Sequence, residues 1–159
     1  MIILGVDPGS HATGYGVIST GPVVRMLTGG VIRTSAKSPL SERLLAIHTG
    51  LVAVIDAHEP VQMAVENLFN AKNARSSLIL GHARGVILLA GAAADLPVSE
   101  YAPREVKQAV TGNGAATKEQ LRFMVMRLLQ LKEEPPLDMS DALGVALAHM
   151  GRSRFAGRG

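Results

Sequence analysis

"ILGVDPGSHATGYGV" (residues 3–17) is the stretch on which the reading of this chain turns. Residues 2–6 have the unbroken apolar character of a strand buried on both faces. The strand ends in a carboxylate, Asp7, and a turn carrying Gly9, Gly14 and Gly16 follows at once. A carboxylate at the mouth of a core strand is costly unless something neutralises it. A cation would do so, but one aspartate cannot hold it, and its partners must come from elsewhere in the chain.

Working outward, 15–20 and 23–33 read as two further strands joined around Gly21-Pro22, an antiparallel meander. Residues 38–60 read as an amphipathic helix, with Ser38 as its cap and Pro39 in its first turn. "VQMAVENLF" (61–69) is the next buried strand, 74–94 a long helix, 97–102 a short strand, and Pro103 opens a helix to about residue 110. Thr117 with Gln120 is a capping-box signature for a helix to about 131, and Pro135-Pro136 precedes a final helix over 138–150. This order predicts an α/β fold, a mixed five-stranded sheet flanked by helices on both faces. Residues 1–151 form one domain in this reading, and 152–159 a short, basic, flexible tail.

Composition narrows the classes. A chain of 159 residues is about one domain long, and 47% hydrophobic residues with only three Phe, two Tyr and no Trp imply a core of Leu, Val, Ile and Ala. The absence of cysteine excludes disulfides and thiolate metal sites. Sixteen Lys and Arg against thirteen Asp and Glu lean mildly towards polyanionic partners. The N-terminus lacks the basic region and cleavage site of a signal peptide. "SSLILGHARGVILLAGAAAD" (76–95) invites a membrane reading, but His82 and Arg84 interrupt it, and the run after Arg84 falls short of the ~18–20 residues a span needs. The expectation is a cytoplasmic protein with no membrane partner.

Most acidic residues sit in helical or loop settings, but four do not. Asp7 and Glu66 each end a buried strand, and Asp138 and Asp141 head the otherwise apolar final helix. If 2–6 and 62–66 are parallel neighbours, Asp7 and Glu66 lie side by side at the carboxyl end of the sheet, where α/β proteins place their sites. Each element alone has an ordinary explanation. Asp7-Pro8-Gly9 suits a turn, Glu66-Asn67 a strand exit, and Asp138 with Asp141 a helix cap and an acidic first turn. Together, four converging carboxylates would repel one another unless hard cations separated them. A pair of Mg²⁺ ions, or Mn²⁺ as a substitute, would serve, and such a pair clamps the oxygens of a phosphoryl displacement. "GNGAATKE" (112–119) is not a phosphate loop, since the glycine before the lysine is missing, and the five histidines show no zinc spacing.

These residues resemble those of the RuvC family of Holliday junction resolvases, within the RNase H-like nuclease fold. The resemblance runs from "ILGVDPGSHATGYGVI" through "VENLFNAKNARSSLILGHARGV" and "EYAPREVKQAVTGNGAATKEQL" to "DMSDALGVALAH". It implies a Mg²⁺-dependent endonuclease of DNA recombination and repair. Such an enzyme is dimeric and cuts two opposed strands of a four-way junction, leaving 5′-phosphate and 3′-hydroxyl ends. It also implies branch-migration motor proteins as partners. The family's acidic set falls on Asp7, Glu66, Asp138 and Asp141; some members have His where this chain has Asp138. On this reading the glycines let the turn after Asp7 pass close to the metals and the DNA backbone. Phe69 either anchors the core or stacks on unpaired bases at the junction. Lys72, Arg75, Arg104, Lys107 and Lys118 can bind phosphates, foremost Lys107 and Lys118, which flank "TGNGAAT". Helix 74–94, apolar on nearly all faces after Arg84 and carrying Gly81 and Gly85, is expected to form a two-fold homodimer interface. An actin-like ATPase would need a second domain, for which 159 residues leave no room.

Overall fold

Side chains alternate across a strand, so one strand can serve two cores at once. The computed structural model describes residues 1–67 and 72–156. Its elements are β1 (Ile2–Asp7), β2 (Ala12–Ser19), β3 (Arg25–Arg33), α1 (Leu40–His58), β4 (Gln62–Glu66), α2 (Ala74–Ala93), β5 (Val98–Tyr101), α3 (Pro103–Thr111), α4 (Lys118–Leu129) and α5 (Leu137–Ala156). The five strands lie in the order β3-β2-β1-β4-β5. The β1–β2 and β2–β3 pairs are antiparallel, and the β1–β4 and β4–β5 pairs are parallel. The expected mixed sheet with helices on both faces is what forms.

Alternation decides which helix covers which residue. Leu4, Val6, Met63 and Val65 pack with Ile47, Leu51 and Ile55 of α1 and Ala83, Ile87 and Ala90 of α2. Ile3 and Ala64 point the other way, into a core shared with α3, α4 and α5. Asp7 has the parity of Ile3, and Glu66 that of Ala64. Both acids therefore face α5.

That helix comes unusually close to the sheet. A Cβ on Gly5 would stand 2.1 Å from the Ala142 carbonyl oxygen, and one on Gly14 would stand 1.9 Å from that of Asp138. On Gly16 it would meet the Leu143 side chain at 2.4 Å, and on Gly29 the Met139 side chain at 2.6 Å. Gly5 pairs with Gly16, and Gly16 with Gly29, so these glycines clear a path for α5 across three adjacent strands. This corrects the expectation for the glycines after Asp7. Gly14 and Gly16 belong to β2 and admit a helix, while Gly9 lets the turn close on itself, its Cβ position lying 1.9 Å from the Ala12 carbonyl oxygen.

Other boundaries moved for local reasons. Pro39, not Ser38, precedes the first residue of α1, and no side chain caps that end. The Thr117–Gln120 capping box forms as expected. Gln120 N–H donates to Thr117 Oγ1 at 3.1 Å, and Thr117 N–H donates to Gln120 Oε1 at 2.9 Å. Helix α5 begins at Leu137, which puts Asp138 inside its first turn, and it runs on to Ala156. Residues 152–156 of the expected flexible tail are thus helical.

Helix α2, with a mean hydropathy of 1.4, is long and apolar enough to cross a membrane, although His82 and Arg84 had argued against that. In this fold it lies on the sheet through Ala83, Ile87 and Ala90, and Arg84 Nε donates to Glu100 Oε1 in β5 at 2.8 Å. Its outer face carries Leu78 and Leu89, 67% and 58% exposed, with nothing within 4 Å of a Cβ on Gly81 or Gly85.

Candidate active site

Four acids meet where β1 and β4 end and α5 begins. The parallel register runs through Val6 beside Val65, and one step further it sets Asp7 beside Glu66. Asp141, one turn into α5, comes down over this pair across the glycine path. Asp7, Glu66 and Asp141 are 6%, 7% and 4% exposed, and Asp138 is half-buried. Lys118, the first residue of α4, reaches in from the side, its Nζ 3.0 Å from Asp141 Oδ2. Lys107 on α3 is close enough to act on Glu66 and Asp141.

Burying this much like charge changes its protonation. Burial first, then the charges of Glu66 and Asp141, hold the Asp7 carboxyl well above the ordinary carboxylate range. Glu66 is raised by burial, while a hydrogen bond with Asp7 and the Lys118 and Lys107 charges pull it back. Both carboxyls therefore resist ionisation, Asp7 the more strongly. Asp141 is also raised by burial, which outweighs the opposing Lys118 ion pair. Burial pulls Lys118 down, but Asp141, Asp7 and Glu66 together overcome it and leave its ammonium favoured.

The donor set suits a hard cation. Asp7 Oδ1 and Asn67 Oδ1 are buried with no hydrogen-bond partner. A buried carboxyl oxygen and an amide oxygen that lack partners, amid excess negative charge in a chain without cysteine, are the hard donors that Mg²⁺-like ions bind. As the side chains stand, no three His, Asp or Glu among the described residues already enclose one ion. Asp141 is instead paired with Lys118.

The structure thus brings together Asp7, Glu66, Asp138 and Asp141 with Lys107 and Lys118. It does not bring Lys72 or Arg75 to them: both are exposed around the start of α2, with no ion pair to an acid among the described residues. Arg104 is exposed on α3, its side chain lying against Gly114. Phe69 lies outside the described residues. Two features escaped the sequence reading. His149 is a buried core histidine, accepting at Nδ1 from the Tyr101 hydroxyl at 2.7 Å and donating from Nε2 to Gln62 Oε1 at 2.8 Å. The other is Arg43, a buried arginine in the α1 row that otherwise reads Ile47, Leu51, Ile55. A cation at that spacing within an apolar row was the available signal.

The strand order, the parallel central pair and the acids at its carboxyl end place the molecule in the RNase H-like class. The family model described as "Crossover junction endodeoxyribonuclease RuvC" matches residues 3–149. The chain is similar to the protein of that name from Desulforamulus reducens, 52% identical over 161 residues and 99% of each chain. It is also similar to that of Ectopseudomonas mendocina, 50% identical over 93% of this chain and 85% of the relative. Among solved structures, T. thermophilus RuvC in complex with a Holliday junction substrate superposes with a TM-score of 0.92 and 38% identity, covering 98% of this chain and 96% of that one. This chain belongs to the RuvC family, whose nucleases are metal-dependent.

Proposed function

We propose that this protein is an endonuclease that resolves four-way DNA junctions by cutting two opposed strands, in recombination and repair in the bacterial cytoplasm. The observation that carries the reading is the buried Asp7–Glu66–Asp141 cluster at the carboxyl end of β1 and β4, in a chain of this family. Asp7, Glu66, Asp138 and Asp141 would hold two Mg²⁺ ions, or Mn²⁺ in their place. Bound there, the ions supply charge neutralisation and an activated water at the scissile phosphate. Because burial and crowding hold the Asp7 and Glu66 carboxyls high, ion uptake would be coupled to the loss of any proton they carry. Asp141, paired with Lys118 Nζ at 3.0 Å, would be one of the residues to hold an ion, and the Lys118 ammonium, beside Lys107, would meet a phosphate oxygen. The family resemblance supports 5′-phosphate and 3′-hydroxyl products, stacking of Phe69 on unpaired bases, and phosphate contacts by Lys72 and Arg75. It also supports branch-migration motor proteins as partners, and one nuclease domain over residues 1–151.

Two opposed cuts call for two sites, and the exposed face of α2 with Leu78, Gly81, Gly85 and Leu89 is the surface for a two-fold homodimer. Leu89 tests it rather than its neighbour Leu88, which packs against the inner core. Leu78→Asp and Leu89→Asp should each sediment as monomers, and dimers in both would remove this face from consideration. The function itself is tested by incubating the protein with a labelled four-way junction and a matched linear duplex, in Mg²⁺ or in EDTA. Paired nicks in the junction alone, only in Mg²⁺, are expected. Equal cutting of the linear duplex would point to a nuclease of other structured nucleic acids.

A further inference from the structure

The row of α1 that faces the sheet is Arg43, Ile47, Leu51 and Ile55, so an arginine holds a position where an aliphatic side chain would pack at lower cost. Arg43 is only 7% exposed, and no carboxylate pairs with it among the described residues. Its donors go to neutral groups of the turn that follows Asp7 and to the segment beside it. Nη2 donates to the Ser10 carbonyl and lies 3.4 Å from His11 Nδ1, and Nε donates to Thr34 Oγ1 at 3.4 Å. Thr34 N–H in turn donates to the His11 carbonyl at 2.9 Å. The acids face α5, whereas α1 packs on the opposite face of the sheet. Arg43 therefore grips the turn from behind, three residues beyond Asp7.

We propose that Arg43 is a positioning residue. Its forked guanidinium fixes the Pro8–His11 turn and through it the Asp7 carboxyl, so that the acid stands ready for the divalent ion. This inference rests on the metal-site reading above. The fork matters because it reaches the Ser10 carbonyl and Thr34 Oγ1 at once, on two separate segments. A lysine ammonium is a point donor and cannot hold both in one geometry.

The test uses Arg43→Met, Arg43→Lys and Asp7→Asn in the full chain. Melting temperature is followed against Mg²⁺ alone, and junction binding is measured in EDTA. Groups that orient metal ligands typically account for roughly 10–100-fold in metal affinity. Both Arg43 variants should therefore need at least about tenfold more Mg²⁺ for half of the thermal shift. Their cleavage at a fixed, limiting Mg²⁺ should fall on the order of 100-fold, as small misplacements at a reacting centre do. Junction affinity in EDTA should stay near that of the unaltered protein. If Arg43→Met does not fold, Arg43→Lys, which keeps the charge and the stem, decides by the same criterion. An unchanged Mg²⁺ midpoint, with or without lost cleavage, overturns the proposal provided that Asp7→Asn has lost its Mg²⁺ response. An Asp7→Asn variant that keeps the full response overturns the metal-site reading and this proposal together.

Discussion

Helix α5 serves two buried polar clusters, and they are opposites. At its first turn Asp138 and Asp141 join Asp7 and Glu66, where like charges crowd, burial raises the carboxyls and Asp7 Oδ1 has no partner. About two turns further on, His149 joins Tyr101 and Gln62 in a chain where donor meets acceptor at 2.7 and 2.8 Å. Both clusters lie on the same face of the same sheet. The difference is satisfaction. A buried polar group whose partners are complete specifies packing, whereas one left incomplete at the end of a strand marks a place prepared for something that is not protein.

The largest effect should come from Asp7→Asn, which keeps shape and removes a charge. Cleavage of a four-way junction in Mg²⁺ should fall by at least on the order of 100–1,000-fold, because phosphoryl transfer depends on charge placed at the transferring group. Junction binding in a gel shift should hold or tighten at low salt, since the site then repels phosphate less. Near-normal cutting would return Asp7 to the status of a turn residue and end the contrast between the clusters.

His149→Ala tests the other side. It removes one hydrogen bond from the Tyr101 hydroxyl and one from the half-buried Gln62, and each such bond contributes roughly 0.5–1.5 kcal/mol to stability. Urea unfolding should show that loss, while cleavage by the folded protein well below its melting temperature stays unchanged. A large loss of cleavage with normal stability would mean that the two clusters are one.

Without metal, the clusters should also respond to pH with opposite sign. Asp7, Glu66 and Asp141 are raised above ordinary values of 3.8, 4.5 and 3.8, so the stability they contribute is complete below about pH 4 and is lost as pH rises through their folded-state values. His149 is held below its ordinary 6.5 by burial and the nearby Arg152 charge. Its contribution is complete above that value and is lost as pH falls through its lower, folded-state value. In EDTA, Asp7→Asn should flatten the decline towards alkaline pH, and His149→Ala the decline towards acid. Superimposable curves for all three proteins would contradict both assignments.

The smallest effect should belong to Lys118→Met. The Lys118 side chain is 58% exposed, so loss of its pair with Asp141 should change stability by no more than about 1 kcal/mol. Junction binding should lose roughly one from its salt slope, the signature of a single phosphate contact. A slope equal to that of the unaltered protein would leave Lys118 a partner of the acids and nothing more.

Much of this was legible along the chain because it is local. An apolar run closed by Asp7, a second closed by Glu66, the Thr117–Gln120 box and the double proline before α5 are each readable within a few residues. The placing of Asp7 beside Glu66 followed once β1 and β4 were taken as parallel neighbours, whereas nothing local fixes where the helix carrying Asp138 and Asp141 will lie. What stayed hidden depends on contacts between distant segments. Nothing near Gly5, Gly14, Gly16 or Gly29 shows that one helix will cross all of them. Nothing near Arg43 names Ser10 as its acceptor, 33 positions away.

The sequence by itself determined the strands, the helices and which acids end buried runs, because period, capping and turn chemistry act over one or two turns of chain. Only the tertiary structure decided that α5 rests against the strands closely enough for Asp141 to reach Asp7 and Glu66. Only it could show that the crowded acids, the orphaned Asp7 oxygen and the buried Arg43 behind the turn belong to one site. The physical reason is that burial and electrostatic coupling are properties of neighbours in space, and 134 positions separate Asp7 from Asp141 along the chain.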